Sequence, residues 1–81
     1  MQASEYQEAT KQFAIYPEHL ALEYLTLGLV SEAGEVAGKV KKFIRDKTDV
    51  AHLAVELSAE LGDVCWYLSQ LCNTFGLDLI S

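Results

Sequence analysis

The chain has 81 residues, 51% of them hydrophobic, with 12 acidic and 6 basic residues and a net charge of −6. This length predicts a single domain spanning residues 1–81. The negative charge argues against general nucleic-acid binding, which needs a basic surface. Because a chain this short buries only about 60% of its unfolded surface, the apolar surplus favours self-association as a dimer or tetramer.

The N-terminal residues and the two cysteines predict a cytoplasmic protein. Residues 1–5 lack the basic and apolar pattern of a secretory signal. No charge-free run of about 18 apolar residues is present, so no membrane span is expected. Cys65 and Cys72 lie seven positions apart on one predicted helix, too far for a disulfide. They are predicted to be buried free thiols in a reducing compartment.

Helical spacing of apolar residues predicts an all-α fold with three helices. Ser4 is the expected N-cap of the first helix, and Pro17 separates the first helix from the second. Gly76 is expected to end the third helix. The predicted helices span residues 4–15, 18–45 and 50–75.

The polar turn at residues 46–49 is short, so the second and third helices are expected to be antiparallel neighbours. Thr48 or Asp49 is the predicted cap of the third helix. The fold prediction is therefore an antiparallel helical bundle with a long central hairpin, completed by oligomerisation. Residues 77–81 predict either a further element or a tail that docks on a partner chain. The inward stripes are predicted to comprise Leu22, Leu25, Leu29, Glu32, Val36, Val40 and Phe43 on one helix, and Leu53, Leu57, Glu60, Val64, Leu68 and Leu71 on the other.

Two acidic motifs lie inside the long helices, Glu32-Ala33-Gly34-Glu35 and Glu60-Leu61-Gly62-Asp63. Each places two carboxylates three residues apart, on one helix face. The motifs are nearly equidistant from the turn, so the hairpin brings them level. Glu32 and Glu60 fall on apolar stripes, where a charge is costly unless it is paired or metal-bound. Four converging carboxylates predict an all-oxygen site for Mg²⁺ or Mn²⁺.

Lysines and aromatic residues near the motifs have two alternative interpretations. Lys39 and Lys42 share a face with Glu35 and could contact phosphates, although cations are also favoured at helix C-termini by the dipole. Trp66 lies near the face of Asp63 and could form part of a base pocket or of the core. The other candidates for pocket walls are Phe13, Tyr16, His19 and Tyr24.

Three glycines, Gly28, Gly34 and Gly38, interrupt the second helix. Each costs about 1 kcal/mol relative to Ala in an exposed helix interior. They therefore suggest close packing or close approach of a ligand, with a helix kink as the alternative.

The segments S-E-A-G-E-V-A-G-K-V-K-K and A-E-L-G-D-V-C-W-Y-L together resemble the MazG-type all-α nucleoside triphosphate pyrophosphohydrolases. Their shared pattern is E-x-x-E, a linker, then E-x-x-D, and the similarity runs from about residue 20 to 79. The resemblance implies Mg²⁺-dependent hydrolysis of a nucleoside triphosphate to its monophosphate and pyrophosphate. It implies metal binding by Glu32, Glu35, Glu60 and Asp63, and a dimer or dimer of dimers whose sites combine two chains. Glu35 is the predicted residue that orients the attacking water.

Two other functions fit parts of the pattern. In a non-catalytic helical dimerisation module, the acidic motifs would lie on the surface. The placement of Glu32 and Glu60 on the apolar stripes argues against this alternative. A ferritin-like di-metal carboxylate protein would need E-x-x-H motifs, which this sequence lacks.

Overall fold

A computed structural model of the protein describes residues 2–11 and 16–80. Within these residues the chain forms three α-helices and no strand, which confirms the all-α prediction. The elements are α1 (Ala3–Thr10), a 3₁₀ turn (Glu18–Leu20), α2 (Ala21–Asp46) and α3 (Val50–Phe75). The long helices α2 and α3 form the predicted hairpin, and α1 lies against α3.

The turns and caps set the ends of the long helices. Asp49 accepts a hydrogen bond from the Ala51 amide at 3.2 Å and so caps α3. Gly76 ends α3 with a φ of 66°, a left-handed conformation that suits a residue without a Cβ. Lys47 adopts a φ of 52° and ends α2. The polar turn therefore reverses the chain where the sequence predicts.

The starts of α1 and α2 differ by a few residues from the predicted positions. Helix α1 begins at Ala3, with Gln2 in the capping position and no side-chain cap, so Ser4 is not the N-cap. Helix α2 begins at Ala21 because the three residues before it form a 3₁₀ turn after Pro17. Ile15, the predicted end of the first helix, lies outside the described residues.

Buried polar contacts attach α1 to the hairpin. Thr10 and Ser69 share a hydrogen bond of 2.9 Å, and the Gln70 amide donates to the Thr10 carbonyl at 2.5 Å. All three residues are buried. Satisfying these groups avoids the desolvation cost of an unpaired buried polar atom.

The C-terminal tail folds back on α1 of its own chain. The Gln7 side-chain amide donates to the Leu77 carbonyl at 2.7 Å, and its oxygen accepts from the Leu79 amide at 2.7 Å. Gln7 also donates to Asn73 at 2.9 Å. One side chain therefore connects α1, the end of α3 and the tail.

Part of each predicted inward stripe is exposed. Leu22, Val40 and Leu68 were predicted to face inward but are exposed, whereas Leu25 is fully buried. The contact between two helices covers a narrower strip than the apolar residues occupy, so the residues at its margin remain accessible. Cys65 is also exposed, against the prediction that it is buried; both cysteines are free thiols, as expected.

Gly28 allows close packing between the two long helices. A Cβ placed on Gly28 would overlap the ring of Tyr67. That ring has little room to move, because Tyr24 and Trp66 lie 6.5 Å and 5.1 Å from it, centroid to centroid. Gly34 has no described neighbour within 4 Å of such a Cβ. Close packing is therefore the explanation for Gly28 alone.

Replacing Gly28 with Ala is expected to destabilise the protein by about 1–3 kcal/mol, the usual cost of overpacking a filled contact. Gly34→Ala is the matched control, and it should raise stability by up to about 1 kcal/mol through helix propensity alone. Urea unfolding followed by circular dichroism measures both. Gly28→Ala should lower the free energy of unfolding less in a Tyr67→Leu background than in the wild-type background. Equal stability gains from both glycine substitutions would contradict the packing argument.

Candidate metal centre

Three carboxylates from the two long helices meet near the middle of the hairpin. One oxygen from each of Glu32, Glu60 and Asp63 lies within 4.8 Å of the others. Glu32 is on α2, and Glu60 and Asp63 are on α3. The antiparallel hairpin brings the motifs level, as the distances from the turn predict. Three of the four predicted metal ligands therefore come together.

The environment of Glu60 fits a bound cation. Its Oε2 atom is buried and has no hydrogen-bond partner among the described residues. A buried carboxylate oxygen without a partner is costly, and two more carboxylates nearby increase the cost. A divalent cation with a preference for oxygen ligands would satisfy all three groups, and Mg²⁺ and Mn²⁺ have that preference.

Glu35 lies apart from the three-carboxylate group. Its side chain is exposed and borders a shallow cavity of about 210 Å³, together with Gly38, Lys39 and Lys42. This places Glu35 and the two predicted phosphate-binding lysines on one surface, as their spacing predicts. The role of Glu35 as metal ligand or catalytic residue stays a prediction.

Lys39 is paired across the hairpin with Glu56. Its ammonium lies 3.0 Å from the Glu56 carboxylate, and both side chains are about one third exposed. The hydrogen bond that Lys39 donates to Glu56 raises the pKa of Lys39, and the charges of Glu56, Glu60 and Glu35 act in the same direction. The same bond lowers the pKa of Glu56. Lys39 therefore stays cationic beside the acidic group.

Sequence reasoning did not identify Glu56 as part of this surface. It accepts from Lys39 and also lies 3.0 Å from His52, one turn earlier on α3. The signal was present in the sequence, because Glu56 precedes Glu60 by four residues and so shares its helix face.

The aromatic residues beside the acidic group pack against one another. Tyr16 stacks on Tyr24 at 5.4 Å between ring centroids, and Trp66 contacts Tyr16 edge-on at 6.3 Å. Trp66 also meets Tyr67 edge-on at 5.1 Å. Tyr16, Trp66 and Tyr67 are half-buried and Tyr24 is exposed. His19 is exposed in the 3₁₀ turn. Phe13, the other predicted pocket wall, lies outside the described residues.

Tyr67 is a second residue that sequence reasoning missed. Burial raises the pKa of its phenol, and Tyr24, Glu32 and Asp63 act in the same direction. The phenol therefore lies near the carboxylates, while its ring packs against Tyr24 and Trp66. Its signal in the sequence was indirect, since the glycine that makes room for it lies on the other helix.

Comparison with known proteins adds to this geometry. The model of the MazG nucleotide pyrophosphohydrolase domain matches residues 20–80, which contain both acidic motifs. The chain belongs to this family. Similarity also extends to the Gene 37 protein of Mycobacterium phage L5, which is 50% identical over 76 residues, covering 84% of this chain and 67% of the phage protein. No solved structure matches the chain.

The MazG family match confirms the resemblance seen in the paired motifs and covers α2, α3 and most of the tail. Helix α1 lies outside the matched residues. None of the described helices has both the length and the apolarity needed to cross a bilayer.

Proposed function

We propose that the protein is a Mg²⁺-dependent nucleoside triphosphate pyrophosphohydrolase, with Mn²⁺ as a possible substitute. It would convert an NTP or dNTP to the monophosphate and pyrophosphate, and non-canonical nucleotides are candidate substrates. The observation that carries the proposal is the meeting of Glu32, Glu60 and Asp63 within 4.8 Å. Membership of the MazG family supplies the reaction class.

The acidic group supplies the ligands for the metal. Glu32, Glu60 and Asp63 would hold it, and Glu35 would complete the predicted set from the neighbouring turn of α2. When bound, the metal neutralises phosphate charge and makes water a stronger nucleophile at neutral pH. The unpartnered Oε2 of Glu60 supports this assignment, because a closed hydrogen-bond network would leave no ligand free.

The lysines beside the carboxylates would bind the phosphates. Lys39 is held by Glu56 next to the acidic group, and Lys42 borders the same cavity. Two ammonium groups there would offset phosphate charge that the metal leaves unneutralised. Glu35, exposed on that surface, would orient the attacking water, and the open edge of Trp66 would contact the base.

The proposal extends to partners and compartment. The described residues bury few large apolar side chains while exposing many, which supports self-association as a dimer or tetramer. The two free thiols fit a reducing compartment, so we place the reaction in the cytoplasm.

A nucleotide panel tests the proposed reaction. Purified protein is incubated with canonical and modified NTPs and dNTPs, with Mg²⁺, with Mn²⁺ or with excess chelator. Products are resolved by anion-exchange chromatography, and pyrophosphate and orthophosphate are assayed separately. We expect metal-dependent release of one monophosphate and one pyrophosphate for each triphosphate consumed.

Two results would overturn the assignment. Orthophosphate with a nucleoside diphosphate would indicate attack on the terminal phosphate and a different reaction. Binding of Mg²⁺ without turnover of any nucleotide would favour the non-catalytic helical module.

A further inference from the structure

The cavity beside the acidic group has a gap at Gly38 that no side chain of the described residues fills. A Cβ placed on Gly38 would have no described neighbour within 4 Å, although the residue itself is half-buried. We propose that the terminal phosphates of the substrate occupy this gap, which makes Gly38 a residue that determines specificity for a triphosphate. The inference rests on the proposed function and adds a residue that lies outside both acidic motifs.

The presence of Gly38 needs a physical cause, because a glycine in a helix interior lowers the stability of the helix. At Gly28 the cause is the ring of Tyr67, which approaches it closely. Gly34 is exposed and does not line the cavity, whereas Gly38 is half-buried and does. Packing within the described residues does not account for Gly38. Close approach of a ligand, the other cause that a helical glycine suggests, therefore remains.

The walls of the cavity favour an anion. Four residues on one face of α2 line it, and they are Glu35, Gly38, Lys39 and Lys42. Two of them carry ammonium groups, which attract phosphate. Glu35 is the one acidic wall, at the end nearer Glu32, where the proposed metal would offset its charge. The charges therefore suit a phosphate group better than a base or a sugar.

The volume of the cavity fits part of a nucleotide and not a whole one. Pockets that enclose a small-molecule ligand have volumes of about 300–1,000 Å³. This cavity holds about 210 Å³, and Gly38 forms part of its wall. Any side chain at position 38 would project from that wall and reduce the space. The absence of a side chain there therefore affects directly what can enter.

The order of the sites along the hairpin indicates which phosphates reach the gap. Tyr67 lies against Gly28, so its neighbour Trp66, the proposed base contact, is at that level. Glu32 is four residues further along α2, or about 6 Å, and Lys39 is another seven residues, or about 10 Å. The metal site therefore lies between the base contact and the lysines. With the α-phosphate at the metal, the β- and γ-phosphates extend toward the cavity.

The two lysines of the cavity differ in how they are held. The Lys39 ammonium lies 3.0 Å from the carboxylate of Glu56 on α3, and both side chains are about one third exposed. Lys42 forms no ion pair within the part of the chain that the structure describes. One cation is therefore fixed from the other helix, and the charge of the other is available to a ligand that enters the gap.

Pyrophosphate is the probe for the gap, because it contains the two terminal phosphates without the nucleoside. Isothermal titration calorimetry in Mg²⁺ measures its affinity for the wild type and for Gly38→Leu. The variant should bind pyrophosphate at least about tenfold more weakly, because the added side chain occupies the space of a phosphate. Ala54→Leu places the same side chain at an exposed position of α3 outside the cavity, and it should bind like the wild type.

A smaller substitution separates this role from damage to the fold. Gly38→Ala should raise Tm by up to about 8 °C, because Ala favours the helix. The same variant should bind pyrophosphate about threefold to tenfold more weakly. A nucleoside monophosphate lacks the terminal phosphates, so its affinity should stay within about twofold of the wild-type value for both substitutions at position 38. Thermal melts and calorimetry on the same samples measure these opposite effects.

Three results would overturn the role of Gly38. They are an unchanged affinity of Gly38→Leu for pyrophosphate, an equal loss of affinity for the monophosphate, and no binding of pyrophosphate by the wild type. Sedimentation of the same samples allows affinities to be compared at one oligomeric state. A variant that changes its oligomeric state and keeps its affinity for pyrophosphate would assign the gap to contact with another chain.

The outcomes also separate this inference from the proposed function. If no nucleotide is hydrolysed but Gly38→Leu still weakens the binding of pyrophosphate, the catalytic assignment alone fails. If nucleotides are hydrolysed and Gly38→Leu changes neither the KM for the triphosphate nor the affinity for pyrophosphate, the role of Gly38 alone fails.

Discussion

Replacing Asp63 with Asn is expected to lower pyrophosphate release by at least about 100-fold while leaving the helices intact. Asp63 is the exposed member of the three-carboxylate group, so an isosteric amide there costs little folding free energy. It removes one of the negative charges that would hold the metal and replaces a strong oxygen ligand by a weak one. Steady-state kinetics at several Mg²⁺ concentrations, with circular dichroism of the same samples, measure the effect.

A control substitution separates loss of a ligand from loss of charge in general. Glu5 is an exposed carboxylate on α1, outside both acidic motifs, and Glu5→Gln should retain wild-type turnover. If the Asp63→Asn variant loses activity because it binds the metal more weakly, a higher Mg²⁺ concentration should restore part of that activity. Full activity of the Asp63→Asn variant at low Mg²⁺ would exclude Asp63 as a ligand.

The convergence of Glu32, Glu60 and Asp63 could be predicted because it depends only on the number of residues between each motif and the turn. A polar turn at residues 46–49 fixes the hairpin, and motifs at equal distance from a turn must come level. The position of Glu35 was harder to predict. Glu35 has the same spacing from Glu32 as Asp63 has from Glu60, yet only Asp63 joins the group, so the spacing within a motif does not fix the position of Glu35.

The attachment of α1 could not be predicted from apolar spacing. Thr10, Ser69 and Gln70 are buried because they satisfy one another, and nothing in a pattern of polar residues distinguishes such pairs from a solvated surface. The partner of Gly28 was hidden for a similar reason. A helical glycine signals close approach, but only the hairpin register shows that Tyr67 is the residue that approaches.

The apolar stripes were too wide for one hairpin, and this excess is informative. Val40 and Leu68 have the spacing of core residues but lie at the edge of the α2–α3 contact. Apolar spacing marks the side of a helix that faces the core, but it does not fix how much of that side one neighbouring helix covers.

Replacing Glu60 with Gln is expected to reverse the order of stability between variant and wild type when Mg²⁺ is added. Without the metal, the wild type keeps three carboxylates within 4.8 Å, and one oxygen of Glu60 is buried without a partner. Gln removes one of these charges and can donate a hydrogen bond to Glu32 or Asp63. The metal-free variant should therefore be more stable by about 1–2 kcal/mol.

With Mg²⁺ the difference should change sign. A ligand whose free concentration is 100 times its dissociation constant stabilises the folded state by about 2.7 kcal/mol. For a domain of this size that corresponds to a rise in Tm of roughly 10–20 °C, which the wild type should show and Glu60→Gln should largely lose. Thermal melts with chelator and across a Mg²⁺ titration measure both arms, and Glu5→Gln should behave like the wild type.

The two arms of this measurement test different properties of the same carboxylate. Greater stability of Glu60→Gln in chelator reports repulsion in the metal-free group, which any cluster of buried carboxylates would show. Loss of the Mg²⁺-dependent rise reports coordination, which requires Glu60 to be a ligand. A variant that gains stability in chelator yet keeps the full Mg²⁺ effect would place the metal elsewhere on the hairpin, with the surface of Glu35, Lys39 and Lys42 as the next position to test.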